Sequence, residues 1–288
     1  MNHKVLKKLN GGNDDSVVHL IEIDGKQYVH KKAPIKHIKS EKFFHRTLER
    51  NGLPSLLMFP EYELGDSEVV FEYIPGSPPL GEVRSVENFN KMGKLVSAMH
   101  AISYPDFFNI DSEGKLTTTS WSVQFAKYIQ ESFDDFLEVN NETKNFTNEE
   151  VKKMESLVNS LAYHTVDTFS LVHGDLHTHN LMVRDNGELV PFDKYEDFLI
   201  APAVYDISLI LSEEFNSSFF VKKDTDQYSE DRKYLAAFID TYGENRIEEQ
   251  IDLIKRFALL RAMNRFPNKW KIYQVEMMKN ILNSYSDF

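Results

Sequence analysis

The chain contains no cysteine among its 288 residues. That absence excludes a disulfide framework, a zinc–thiolate centre and a thiol nucleophile, and it suits a reducing cytoplasm, the expected location. Long apolar runs are missing too. The longest candidate, residues 198–211, is interrupted by Asp206, so no membrane-spanning helix is expected. The start, Met1-Asn2-His3-Lys4-Val5-Leu6-Lys7-Lys8, lacks the apolar centre of a signal peptide. Positive charge is in the minority: 33 Lys and Arg face 45 Asp and Glu, a net charge of −12. Nucleic acid would be repelled without a strong basic patch, so it is not an expected partner. The acidity is compatible with a cationic small substrate, although it also serves solubility. No G-x-x-x-x-G-K-[ST] run is present, which excludes a Walker-type nucleotide site, and there is no H-E-x-x-H run.

What is present centres on His173-Gly174-Asp175-Leu176-His177-Thr178-His179-Asn180 and the stretch that follows it to Asp193. Asn186-Gly187 is a hairpin signal, because both residues tolerate the positive φ of a type I′ turn. With those two as the loop, the pairing runs outward from Asp185–Glu188 to Leu181–Phe192 and Asn180–Asp193. An amide oxygen and a carboxylate would then lie directly across from each other. Hard oxygen ligands of this kind, completed by waters and substrate phosphates, hold Mg²⁺ in phosphoryl-transfer sites. Asp175 precedes Asn180 with the spacing that separates base from metal ligand in the protein-kinase catalytic loop. It is therefore the candidate to accept a proton from an attacking hydroxyl. Two blander readings stand beside this one. The three histidines form a zinc cluster, or the polar residues are only turn chemistry. Turn chemistry accounts for Asn186 and Gly187 but not for His173, Asp175, Asn180 and Asp193 together.

H-G-D-x-x-x-x-N followed by an Asp on the next strand resembles the aminoglycoside phosphotransferase and choline kinase superfamily of small-molecule kinases. The resemblance implies a protein-kinase-like α+β fold, with a small β-rich lobe (residues 1–76), a hinge near 72–76 and a larger helical lobe (residues 77–288). It implies transfer of the γ-phosphoryl group of ATP or GTP to a hydroxyl, with Mg²⁺ held by Asn180 and Asp193. His173 belongs to the same catalytic motif and is expected to shape the loop more than to transfer protons. The acceptor is open between an aminoglycoside-like antibiotic and a choline, ethanolamine or sugar type. A nucleotide-binding pseudokinase with a regulatory role is the alternative from another class.

The first lobe supports this reading residue by residue. Asp24-Gly25 is a second hairpin signal between Val17–Ile23 and Lys26–Lys32. Counting outward pairs Lys31 with Val18 and puts Val29 on the same sheet face, a nucleotide floor with a phosphate-binding ammonium. Lys31 is chosen over Lys32 because Tyr28-Val29-His30-Lys31 resembles the superfamily's run, with His30 as a departure. Gly11 and Gly12 sit in a loop whose backbone N–H groups would cover phosphates. A helix is expected over Ser40–Arg50, ended by Asn51-Gly52, with Glu41 in its first turn. The resemblance makes Glu41 the partner that steadies Lys31. It also makes the Glu72 carbonyl and the Ile74 N–H the groups that read the adenine edge.

Beyond Ser77 the periodicity is helical. Phe89, Met92, Leu95, Val96 and Met99 form one stripe, and Trp121, Phe125, Tyr128, Ile129, Phe133, Phe136 and Leu137 another, read as core. Thr147-Asn148-Glu149-Glu150 predicts a capping box. Further helices are expected near 229–242, 246–264 and 269–285. Asp206 lies within an apolar run, where an unpaired carboxylate would cost several kcal/mol; the resemblance assigns it to bracing the catalytic loop. Ala201 replaces a usual Gly, and Phe192-Asp193-Lys194 replaces an Ile-Asp-aromatic triplet. The acceptor is expected to be cationic or polyhydroxylated, drawn by Glu196, Asp197, Glu213 and Glu214 and packed on Phe215, Phe219, Phe220 or Trp270.

Overall fold

The computed structural model describes residues 3–9, 16–63, 65–194, 198–220, 229–266 and 272–285. Four strands open the chain: β1 (Lys4–Lys8), β2 (Val17–Ile23), β3 (Lys26–Lys32) and, beyond helix α1 (Ile35–Arg50), β4 (Glu68–Glu72). They form one antiparallel sheet in the order β1-β2-β3-β4. The β2–β3 turn takes positive φ at both Asp24 and Gly25, as type I′ requires. This sets Val18 opposite Lys31, the expected register.

Strand alternation then decides what each face meets. Val69 and Phe71 pack with Ile38 of α1 and with Val190, whereas Val70 joins Ile21, Ile23 and Tyr28 on the opposite face. Helix α1 begins at Ile35, directly after Pro34, several residues before the expected start. Pro34 fixes φ just ahead of the first turn, and burial of Ile38 rewards the extra residues. Glu41 consequently lies in the second turn, and its place is set by packing rather than by the helix dipole.

The second region runs α2 (Val86–Ala101), β5 (Ser103–Tyr104), β6 (Asn109–Ile110), β7 (Leu116–Thr117), α3 (Trp121–Thr143), α4 (Asn148–Asn159) and β8 (Phe169–Leu171). It continues with β9 (Leu181–Val183), β10 (Leu189–Pro191), β11 (Ile200–Ala201), α5 (Val204–Glu213) and α6 (Asn216–Phe219). Helices α7 (Ser229–Tyr242), α8 (Glu244–Glu248), α9 (Ile251–Arg265) and α10 (Ile272–Asn283) close it. The helix expected over 246–264 is thus divided by Glu249-Gln250. The aromatic stripe of α3 is core, with Trp121 and Phe125 stacked at 4.5 Å. The capping box at Thr147 is complete, since the Thr147 hydroxyl accepts from Glu150 N–H and the Glu150 carboxylate accepts from Thr147 N–H. The architecture is protein-kinase-like: a small sheet lobe on a larger helical lobe.

Where α2 crosses α7, Gly93 leaves no room for a side chain. A Cβ there would stand 2.5 Å from the Phe238 carbonyl oxygen and 2.2 Å from Thr241 Oγ1. Alanine favours a helix by about 1 kcal/mol over glycine, but the backbone of α7 cannot yield without separating two packed helices. Gly93→Ala is therefore expected to destabilise by about 1–3 kcal/mol net, read as a lower urea midpoint with an unchanged slope.

Candidate active site

Between the sheet and the helical lobe lies a cavity of about 310 Å³. Val18, Val29, Leu56, Phe71, Met182 and Phe192 make its walls apolar, and Lys31, Glu41 and Asp193 make one end charged. Lys31 Nζ stands 2.8 Å from Glu41 Oε2 and 2.7 Å from Asp193 Oδ1. Burial alone would favour the neutral amine. The two carboxylates outweigh it and hold the Lys31 ammonium above its ordinary value. Lys32 turns to the other face, largely exposed, and meets Glu68 at 3.3 Å. Glu72 and Ile74 line the same cavity. The Glu72 side chain accepts from Leu57 N–H at 3.0 Å and pairs with Arg184. Gly11 and Gly12 lie outside the described residues.

The β9–β10 hairpin departs from the expected register by one residue. Val183 faces Leu189, Met182 faces Val190 and Leu181 faces Pro191. Gly187 N–H donates to Arg184 O at 2.7 Å, and of the loop residues only Gly187 has positive φ. The loop is therefore Asp185-Asn186-Gly187, a type I turn closed by a left-handed glycine, and not a two-residue I′ turn. Asn186 serves it differently, accepting from Glu188 N–H through Oδ1. Asn180 consequently opposes Phe192, whose N–H donates to Asn180 O at 3.0 Å. Asp193 follows with φ +57°, a left-handed conformation that Asp tolerates better than most residues.

The loop bearing Asp175 is held from several sides. Asp206, fully buried in α5, accepts from His173 N–H and Gly174 N–H, each at 2.7 Å. His100 Nε2 meets the same carboxylate at 3.4 Å, and His100 Nδ1 meets Tyr242 Oη at 3.1 Å. Burial works to raise the Asp206 pKa; His100 and the backbone donors pull it below its ordinary value. Arg261 and Arg265 of α9 reach the loop as well. Arg261 donates to Gly174 O at 2.6 Å, and Arg265 pairs with Asp175 Oδ1. Asn180 Nδ2 donates to Asp175 O at 2.8 Å and to Asp175 Oδ2 at 3.2 Å. Burial opposes ionisation of Asp175, but His177 and the two arginines hold it well below the usual carboxylate range. Sequence reasoning missed His100, Arg261 and Arg265, because nothing in their local spacing ties them to residues 173–175.

His173 is also buried. Asp175 N–H donates to its Nδ1 at 3.3 Å, so its Nε2 carries the proton and donates to Phe192 O at 2.8 Å. Burial lowers its pKa to about 4. Both nitrogens are committed, which removes it from any zinc triad. His177 Nδ1 accepts from His179 N–H at 3.2 Å. No three metal-binding side chains converge among the described residues. Mg²⁺ asks less of the protein, one or two hard oxygens beside phosphates and water. Asn180 spends its amide nitrogen on Asp175 and its oxygen bonds no described residue, and Asp193, whose Oδ1 meets Lys31, has a second carboxylate oxygen to offer, so the donor set fits. Lys194, the neighbour of Asp193, is buried and turns its Nζ to Phe198 O at 2.7 Å.

On the expected acceptor side, Glu213 is paired with Arg265 at 3.1 Å, and Glu214 accepts from the N–H and hydroxyl of Thr178 at 2.6 and 2.8 Å. Phe215 is buried against Phe89 and Phe238, so it is core and cannot pack on a ligand. Phe219 and Phe220 are half-buried. Glu196, Asp197 and Trp270 lie outside the described residues.

Residues 5–250 match the model of the phosphotransferase enzyme family (APH). Among solved structures, the chain is similar to a thermostable mutant of aminoglycoside phosphotransferase APH(4)-Ia in ternary complex with AMP-PNP and hygromycin B. The identity is 14% and the TM-score 0.66, covering 100% of this chain and 96% of that one. It is also similar to choline kinase LicA from Streptococcus pneumoniae, at 19% identity and TM-score 0.59, covering 98% and 95%. A putative fructosamine-3-kinase from Thermobifida fusca matches at 16% identity and TM-score 0.61, covering 98% and 95%. No curated protein matches. No helix among the described residues is long and apolar enough to cross a membrane.

Two fully buried histidines give this region an acid sensitivity. Burial depresses His173 to about 4 and His45 of α1 to about 3. Below the unfolded value near 6.5, the unfolded chain takes up protons that the folded one refuses. The stability they contribute is complete above that value and is lost as pH falls toward the folded values. Each histidine adds a slope of about 1.4 kcal/mol per pH unit in that window. Urea unfolding at pH 4.8–6.2 should show it, and His45→Met should remove about one histidine's share. An unchanged slope would contradict the assignment.

Proposed function

This chain belongs to the phosphotransferase enzyme family, and from that premise we propose that it transfers the γ-phosphoryl group of ATP or GTP to a hydroxyl of an amine-bearing or polyhydroxylated small molecule. The observation that carries this is the meeting of Lys31, Glu41 and Asp193 at one end of an apolar cavity, with Asn180 bonded to Asp175 on the adjoining loop.

In this reading residues 1–76 and 77–288 are the two lobes, and the nucleotide base lies against Val18 and Val29. The Glu72 carbonyl and the Ile74 N–H read its edge. Lys31 leaves Asp193 to grip the nucleotide's phosphates and keeps Glu41 as its anchor. Asn180 and Asp193 hold Mg²⁺, which when bound neutralises charge on the phosphate oxygens. The acceptor oxygen forms a bond to the γ-phosphorus as the bond to the β-phosphate oxygen breaks. Its proton passes to the Asp175 carboxylate, and the nucleoside diphosphate leaves. His173 stays neutral and shapes the loop, and Asp206 braces it. Catalysis is then mainly positioning and electrostatics. A cytoplasmic location belongs to the same proposal. A pseudokinase role has less support, since each expected catalytic residue type stands in the site.

The chain's net charge of −12 favours a cationic acceptor. Hygromycin B, spectinomycin, choline, ethanolamine and a fructosamine form the screening panel, with ATP and GTP tested in parallel. With the best acceptor, kcat/KM should fall as ionic strength rises, and preference for an anionic acceptor would refute the charge argument. Asp175→Asn should lower kcat by about 10²–10⁴-fold while nucleotide affinity holds. Retention of most turnover in that variant would exclude Asp175 as the base.

A further inference from the structure

Asp175 is more constrained than proton acceptance alone requires. Its Oδ1 is paired with Arg265, and its Oδ2 receives Asn180 Nδ2 at 3.2 Å and faces His177 Nε2 at 3.7 Å. Arg265 does not stop there. Its second terminal nitrogen, Nη1, stands 3.1 Å from Glu213 Oε1, at the last residue of α5. These side chains are partly buried, Arg265 at 21%, Asp175 at 26% and Glu213 at 17% exposure. They are therefore not a solvated surface pair of little worth.

We propose that Arg265 is a positioning residue for phosphoryl transfer: it fixes the plane of the Asp175 carboxylate and is itself fixed by Glu213. The proposal rests on Asp175 being the base. A carboxylate on a short side chain turns freely about its last bond unless both oxygens are held. Asn180 holds one edge, but through a neutral amide that also serves the Asp175 carbonyl. Arg265 supplies the charged contact on the other edge. A planar guanidinium suits the task, because two of its nitrogens can address two carboxylates without reorientation, which an ammonium on a flexible stem does less well. Glu213 balances the charge, so the arginine can stay beside the base as the hydroxyl arrives. A carboxylate has about four lone-pair directions, so the hydroxyl approaches without displacing Arg265.

The arginine belongs to a larger device. Arg261, one turn earlier on α9, bonds the Gly174 carbonyl and lies over the Tyr205 ring at 4.7 Å. One helix thus holds both the peptide before the base and the base itself. Small shifts of a reacting group cost much in rate, about 100-fold for a misplacement near 1 Å.

The test is hydrolysis of MgATP by the full chain with water as acceptor, measured for the parent, Arg265→Ala, Arg265→Lys, Glu213→Gln and Asp175→Asn. Arg265→Ala is expected to lose about 100-fold in kcat with the KM for ATP unchanged. Added guanidinium ion should recover part of the loss in Arg265→Ala and none in Asp175→Asn. Arg265→Lys should fall between parent and alanine, and Glu213→Gln should show a smaller loss of the same kind. Parental turnover in Arg265→Ala beside an inactive Asp175→Asn would overturn the positioning role and leave the base intact. A loss in Arg265→Ala that neither lysine nor guanidinium relieves, with a raised KM, would mark Arg265 as a brace of the fold and also overturn it. Parental turnover in Asp175→Asn would remove the base reading and this proposal with it.

Discussion

A fully buried carboxylate with no lysine or arginine bonded to it among the described residues holds this site together. Asp206 sits in α5 with its oxygens committed to two backbone N–H groups of the loop at 173–174 and to a ring nitrogen of His100. Hydrogen bonds to an ionised acceptor are about twice as strong as neutral ones. A buried acceptor left without its donors would be correspondingly costly. The arrangement is therefore close to all-or-none. Either the loop takes the conformation that presents both N–H groups, or the carboxylate is stranded. His173 carries the constraint onward to Phe192, and Asp193 follows Phe192 along the chain. One interaction thereby fixes the relative positions of Asp175 and Asp193, which come from opposite sides of a hairpin.

The charged end of the cavity has the opposite character. Lys31 is nearly buried between two carboxylates, one on the helix packed behind the sheet and one on the strand end below it. Two acids beside one base leave a net negative charge when all three are ionised. A bound cation, or the transfer of Lys31 to an anionic ligand, changes that balance. The site is arranged to respond to charge, whereas the Asp206 anchor is arranged to ignore it.

How much of this was legible in the sequence depended on the distance over which each signal acts. The turn at Asp24-Gly25 gave the register of β2 and β3, because its two residues both need positive φ. That register puts Lys31 on the face of Val18 and Val29, and in the structure the three line one cavity while Lys32 turns to Glu68. The turn at Asn186-Gly187 misled by one residue, since the same dipeptide also closes a three-residue loop with a left-handed glycine. Local chemistry does not choose between the two loops, and the observed register goes with burial of Leu181, Leu189 and Val190. The expected start of α1 falls late because Pro34 opens the helix with no side-chain cap to mark it. Phe215 reads as a ligand platform beside its neighbouring acids, because the partners that bury it, Phe89 and Phe238, are far away in sequence. Arg261 and Arg265 had no sequence signal, since they became relevant through the packing of α9 on α5 and α3.

The bond between Glu72 and Arg184 has a mechanical meaning for the strap that joins the lobes. Glu72 is fastened to the helical lobe through Arg184, and Arg184 also reaches Ser55 O at 3.2 Å. Six residues on, the Pro78 carbonyl accepts from Val183 N–H at 3.0 Å. Between these two ties the chain runs through Tyr73-Ile74-Pro75-Gly76-Ser77. Pro75 has its φ locked by its ring, and Gly76 already stands at φ +73°. The same stretch lines the cavity through Tyr73, Ile74, Gly76 and Ser77, so the segment that joins sheet to helices is also a wall of the cavity.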